Sequence, residues 1–171
     1  SLGTKTYATV SGALAYDDPL TGEVYHIVIN QAIYIPHLDH HLLCPMQCRV
    51  NDVTVDETPK FLAHDPTDHT HALTIQDPNN PAQTVTLPLA LRGVTSLLNV
   101  RGVTLDEWTS DAFKRLHLTS ETLTWDPTTT LYEEQEAAMV DYSGRVVTTT
   151  RPLMMHINSL VIDPLSSMTT D

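Results

Sequence analysis

The chain has 171 residues, 41% of them hydrophobic, which is enough for a core in one large or two small domains. Acids outnumber bases 21 to 9, a formal net charge of -12, and "RGVTSLLNVRG" and "FKR" are too sparse to form a basic patch, so direct nucleic-acid binding is excluded. No apolar run reaches the ~18 to 20 residues of a membrane span, and "SLGTKTYATV" lacks the pattern of a secretory signal.

Two cysteines four positions apart, Cys44 and Cys48, make a poor disulfide framework, and the chain reads as intracellular, cytoplasmic and reduced. It begins without Met and runs directly into strand-like sequence, as a piece cut from something longer would.

In chain order, "KTYATVSGALAYD" reads as a strand with Ala8, Val10, Leu14 and Tyr16 on one face and Gly12 where a bulge or a close backbone approach fits. "GEVYHIVINQAIYIP" reads as a second strand, with Ile27, Ile29, Ile33 and Ile35 sharing a face and Gln31 interrupting. "DDPLTGE" between them supplies turn residues, so the pair is a long hairpin ended by Pro36. "LLCPMQCRVNDVTVDETPKFL" offers a short buried piece, a turn at Asn51-Asp52 and a strand through Val53 and Val55. "HALTIQDPNNPAQTVTLPLAL" is a second hairpin, with Leu73 and Ile75 facing Val85 and Leu87. After Arg92 the pattern loosens: "LDEWTSDAFKRL" allows a short helix, "LYEEQEAAMV" behind the cap-like "DPTTT" predicts a better one, "RVVTTTRPL" is strand-like, and "DPLSSMTTD" has the composition of a frayed tail. The fold class is mainly β over 1–90, with a looser α+β extension over 91–160 and a tail at 161–171.

Two clusters suggest chemistry. "HLDHHLLCPMQC" could give a zinc site two ligand pairs, His37 with His40 or His41, and Cys44 with Cys48, but the cysteines do not have the Cys-x2-Cys spacing of a retroelement zinc module and the segment is otherwise apolar. "HDPTDHTH" carries His64, Asp65, Asp68, His69 and His71 in a polar stretch that reads as a solvated loop. There is no nucleophile elbow and no phosphate loop. "LTG" at Leu20–Gly22 lacks the aspartate of an aspartic-protease triplet, and "DYSG" at Asp141–Gly144 carries an inserted tyrosine and reads as a turn. No catalytic, cofactor-binding or metal residue is assigned, no cofactor is implied, and the chain as it stands is not an enzyme.

The order of these features resembles the protease region of copia-type retrotransposon Gag-Pol polyproteins. There the stretch after the catalytic triplet runs Val-Leu-Tyr-Val-Pro, then a leucine, then Asn-Leu-Leu-Ser-Val-Ser-Gln-Leu. Ile33-Tyr34-Ile35-Pro36 and Leu38 match the first part, and His41 through Cys48 match the second. The resemblance covers roughly residues 5 to 62. It implies the non-catalytic remainder of a retropepsin-like hairpin or barrel, whose Asp-Ser-Gly would lie upstream of Ser1 and whose parent would cut its own polyprotein as a dimer. It also implies that Cys44 and Cys48 stand where the family has a small serine and a core leucine, so that both are buried and replacing them with Ser and Leu is harmless or better. The partners it implies are the upstream polyprotein segment and a second copy joined through the hairpin edge, since loss of the upstream strands would leave Ile27, Ile29, Ile33 and Ile35 partly exposed. The alternative is a degenerate or domesticated β-rich module that binds or assembles without enzymatic activity.

Overall fold

The computed structural model describes residues 6–38, 40–77 and 80–147. The chain divides into two compact units, Ser1–Thr124 and Trp125–Asp171. The described residues form a mixed α/β fold, with three sheets and a few short helices.

Strands β1 (Ala8–Asp17) and β2 (Val24–Tyr34) form the long hairpin that the alternation predicts. Its turn is built by Asp18, whose carboxylate accepts from Leu20 N at 2.9 Å and Thr21 Oγ1 at 2.8 Å, and by Gly22 at φ 72°. Those donors, the Leu20 N–H foremost, hold the Asp18 carboxyl below its ordinary range.

Pairing runs in step from Asp17↔Val24 to Gly12↔Ile29 and resumes at Val10↔Ala32. That is three steps along β2 against two along β1, so the extra residue of the bulge belongs to β2, where Gln31 takes a left-handed φ of 55°. The sequence offered Gly12 for a bulge or a close approach; the register does shift beside it, between Val10 and Gly12, but a Cβ at Gly12 would meet only open space, so no close approach demands glycine there. Inserting one residue reverses which face later side chains occupy. Ile27 is buried and Ile29 half-buried, whereas Ile33 and Ile35 are exposed, and the expected four-isoleucine face does not form.

Next comes α1 (Pro45–Arg49), a short helix where a buried segment was expected; Pro45 opens it, a place that needs no N–H. Asp52, at φ 62°, turns the chain into β3 (Thr54–Asp56), and a single 3-10 turn at Lys60–Leu62 leads on. Strands β4 (Ala72–Asp77) and β5 (Asn80–Pro88) make the second predicted hairpin, with Leu73 opposite Leu87 and Ile75 opposite Val85, and β3 adds to its edge. A small hairpin follows, β6 (Ala90–Arg92) with β7 (Thr95–Leu97), turning at Gly93. Then β8 (Arg101–Gly102), helix α2 (Leu105–Thr109) and β9 (Lys114–His117) return the chain to the first sheet. Its order is β8-β1-β2-β9, with β9 parallel to β2.

Row by row, Tyr16–Tyr25–Lys114 and Leu14–Ile27–Leu116 share one face of that sheet. Tyr16, Tyr25, Ile27, Leu116 and Leu118 pack with Leu73, Ile75 and Leu87 of the second sheet and with Cys48 and Val53. Each fully buried Ile or Leu is worth ~1.5–3 kcal/mol. This core overturns the expectation of partial exposure for Ile27, which the chain's own second sheet and β9 cover; Ile29 stays half-buried, and Ile33 and Ile35 are exposed as expected.

In the second unit α3 (Leu131–Ala137) forms as predicted, with Trp125 and Tyr132 in ring contact at 5.7 Å. The Thr130 hydroxyl does not cap a backbone N–H; it donates instead to Glu134 Oε1 at 2.9 Å, while the Thr130 carbonyl accepts from Glu134 N at 3.0 Å. Of "RVVTTTRPL", Val146 bridges Val140, and 148–153 lie outside the described residues, as does the tail at 161–171. Among the described residues no helix is long and apolar enough to cross a membrane.

Candidate functional site

Two surfaces of the first unit stand out. One is the far end of the first hairpin. Strand β8 pairs with β1 only at Leu14 and Ala15, and β9 pairs with β2 only from Tyr25 to Val28. Beyond the bulge, the Ala8–Val10 and Ala32–Tyr34 segments pair with each other and with no further strand among the described residues. That bare ribbon carries Tyr7, Val10, Ile33 (64% exposed), Tyr34 (56% exposed), Ile35 and Leu38 in the open. Gln31 secures its base, its amide donating to the carbonyls of Ser120 and Leu123.

The other is the outer face of the first sheet, where the row Ala15–His26–Arg115 and the row Ala13–Val28–His117 turn away from the core. A groove of about 640 Å³ crosses it, lined by Ser11, Ala13 and Asn30 on the hairpin, Arg115 and His117 on β9, and Trp108 on α2. Helix α2 is set in place by a full capping box, Thr104 Oγ1 accepting from Glu107 N while Glu107 accepts from Thr104 N. Arg101 adds a clamp, donating to both carboxylate oxygens of Asp17 and both of Glu107 at 2.8–3.0 Å. Arg101, first, and the Thr104 N–H together pull the Glu107 carboxyl down to about 2. The Arg115 guanidinium lies 4.3 Å from the Trp108 ring and donates to the Trp108 carbonyl at 2.8 Å. Deep in the same face, Thr119 Oγ1 accepts from Asn30 N at 2.6 Å and donates to Asn30 O at 2.9 Å, while Asn30 Nδ2 donates to Thr119 O. A hydroxyl thus replaces the missing ladder partner at the bulge.

The clusters that the sequence singled out come apart. His37, His40, His41 and Cys44 are exposed, and Cys48 is 0% exposed in the core. The expectation that both cysteines are buried therefore holds for Cys48 alone. Cys44 sits at the start of α1, where the chain is still on the surface. Burial pushes the Cys48 thiol up to about 12. In "HDPTDHTH", His64 and Asp65 are solvated, as read, but His71 is buried at φ 56°, its Nε2 2.8 Å from Ser96 Oγ. His69 Nδ1 lies 3.2 Å from Thr74 Oγ1 and 3.1 Å from Thr86 Oγ1, bridging a cross-strand pair of β4 and β5. Among the described residues no three of His, Cys, Asp and Glu are grouped to hold a metal ion. "LTG" is the first hairpin's turn. "DYSG" is a turn too: Asp141 Oδ1 accepts from Ser143 N, Ser143 Oγ and Arg145 N, and Gly144 takes φ 77°.

Sequence reasoning missed the Asn30–Thr119 junction and His26, which is buried beneath Trp108 and Phe113. The visible signals were a histidine alternating with Val24 and Val28 in an apolar strand and the two aromatics of "EWTSDAF". No family model, curated protein or solved structure matches the chain.

Proposed function

We propose that this chain is a non-catalytic, β-rich piece of a copia-type retroelement polyprotein that works by association through the open end of its β1–β2 hairpin. The observation behind this reading is that the residues of the copia-like motif, Ile33, Tyr34, Ile35 and Leu38, are among the large apolar side chains left exposed on a ribbon with no neighbouring strand among the described residues. Apolar groups on an unpaired ribbon gain by being covered, and the ribbon's backbone offers a partner's strand its hydrogen bonds. The partner is a second copy or the upstream polyprotein segment. In the parent, a retropepsin-like dimer assembled around this hairpin would supply one aspartate from each copy. The core, closed by the chain's own β9 and second sheet, favours a module that stands and binds by itself over a half-domain awaiting its other half.

Sedimentation of the purified chain tests the reading. Concentration-dependent dimerisation is expected, abolished by Ile33→Lys with the circular dichroism spectrum unchanged, and no pepstatin-sensitive cleavage of polyprotein peptides. A chain that stays monomeric at high concentration and captures no upstream segment, or an Ile33→Lys variant that associates as before, overturns it.

A further inference from the structure

The outer-face groove is walled by a segment that rests on one unusual residue. His26 is 0% exposed, and neither Nδ1 nor Nε2 has a hydrogen-bond partner. Its ring stacks against Phe113, centroids 4.8 Å apart, and against Trp108 at 6.1 Å, each at 29° between planes. A neutral imidazole in such a slot already forgoes its hydrogen bonds with water. An imidazolium would carry a full charge and two unmet donors there.

We propose that His26 is a proton-operated latch: neutral, its ring seats the α2-to-Phe113 segment on the outer face of the sheet, and protonated, it unseats that segment and opens the groove.

The groups facing the ring set the direction. Loss of solvent, the largest influence, opposes the proton; Glu107 of α2 favours it, and Arg115 of β9 and Arg101 of β8 oppose it. The His26 pKa therefore lies below its ordinary value of about 6.5. The sign follows: the unfolded or unseated chain binds the proton more readily than the seated one. The seated form is favoured in full above about pH 6.5 and given up as the pH falls through the lowered value. Glu107 cannot rescue the charge by turning inward, because both its oxygens are engaged by Arg101 and Thr104. What gives way is the cover, five helical residues joined to Phe113 by a short turn. This inference does not depend on the polyprotein reading.

The full-length chain carrying Trp125→Phe reports on Trp108 alone. Its emission is expected to shift to the red in a single one-proton step as the pH falls below about 6.5, reversibly and without loss of far-ultraviolet dichroism. The shift should be absent in His26→Phe, which fills the slot without titrating, and retained in His117→Gln. Proton resonances of the His26 ring in the unsubstituted chain give a second reading that does not depend on the variant folding. They should titrate below the ordinary histidine value, together with the Trp108 indole signal. A flat Trp108 emission, a step that survives His26→Phe or vanishes in His117→Gln, or a His26 ring that titrates at its ordinary value would each overturn the latch.

Discussion

Cys48 and Cys44 are chemically the same side chain in two media. The buried thiol of Cys48, pushed up to about 12, is neutral and inert, while Cys44 at the helix start meets water. Iodoacetamide at mildly alkaline pH should therefore modify one thiol of the native chain, Cys44 by peptide mass, and reach Cys48 only in denaturant. Equal labelling of both would show that the core is open. The same burial revises the Cys48→Leu substitution that the copia resemblance suggests, for which Cys48→Ser is the polar comparison. Cys48→Ser should cost about 1–3 kcal/mol in urea unfolding because it buries an unpaired hydroxyl. Cys48→Leu adds volume to a filled core and should cost about as much.

The first hairpin is as stable as its attachment to β9, and that attachment runs through the Asn30–Thr119 junction beyond the paired residues. Thr119→Val keeps the shape and deletes the hydroxyl, leaving the buried Asn30 N–H without its acceptor. A loss of about 1–3 kcal/mol is expected by chemical denaturation, with Thr119→Ser recovering most of it; equal losses in both would assign the effect to the methyl group. Both hairpins and α2 and α3 were legible in the sequence, because alternation, turn residues and caps are local signals. Leu73 opposite Leu87 follows from counting in twos outward from "DPNNP". That the bulge's extra residue lies on β2 at Gln31 was not legible, since Gln31 is held by carbonyls of Ser120 and Leu123, roughly ninety residues on. Nor was β9, a basic-looking "KRLH" whose Leu116 becomes core only once β2 lies beside it. The burial of His71 and the exposure of Cys44 were not legible either, because proximity in sequence says nothing about which side of α1 or of the β3–β4 connection each side chain takes.

At the scale of the whole molecule, the groups with shifted pKa values set opposite limits on stability. Asp18, Asp56 and Glu107 are all held below the ordinary carboxylate range, chiefly by donated hydrogen bonds, from backbone N–H groups at the two aspartates and from Arg101 at Glu107. Their contribution is present above about pH 4, the unfolded value, and lost as the pH falls through the lowered folded values. Cys48 and the buried tyrosines Tyr16 and Tyr25 are raised, chiefly by desolvation, so their contribution is present below the unfolded values, about 8.5 and 10, and lost above them. The urea midpoint of the first unit should accordingly peak between about pH 7 and 8, and a midpoint still climbing at pH 10 would contradict the burial of Cys48 and the two tyrosines.

The parallel pairing of β2 with β9 carries a consequence in time. Asn30 and Thr119 stand 89 residues apart, and the ends of that loop must meet before Leu116 or Leu118 gains any contact in the core. The β1–β2 turn closes within microseconds, but this strand must wait for most of the first unit to be made and gathered. Among the described strands it is the last in the chain, and it holds its edge of the sheet through four paired residues, so its opening and closing are expected to be a local event. How long the chain survives among proteases is then set less by its deepest contacts than by how often β9 lets go.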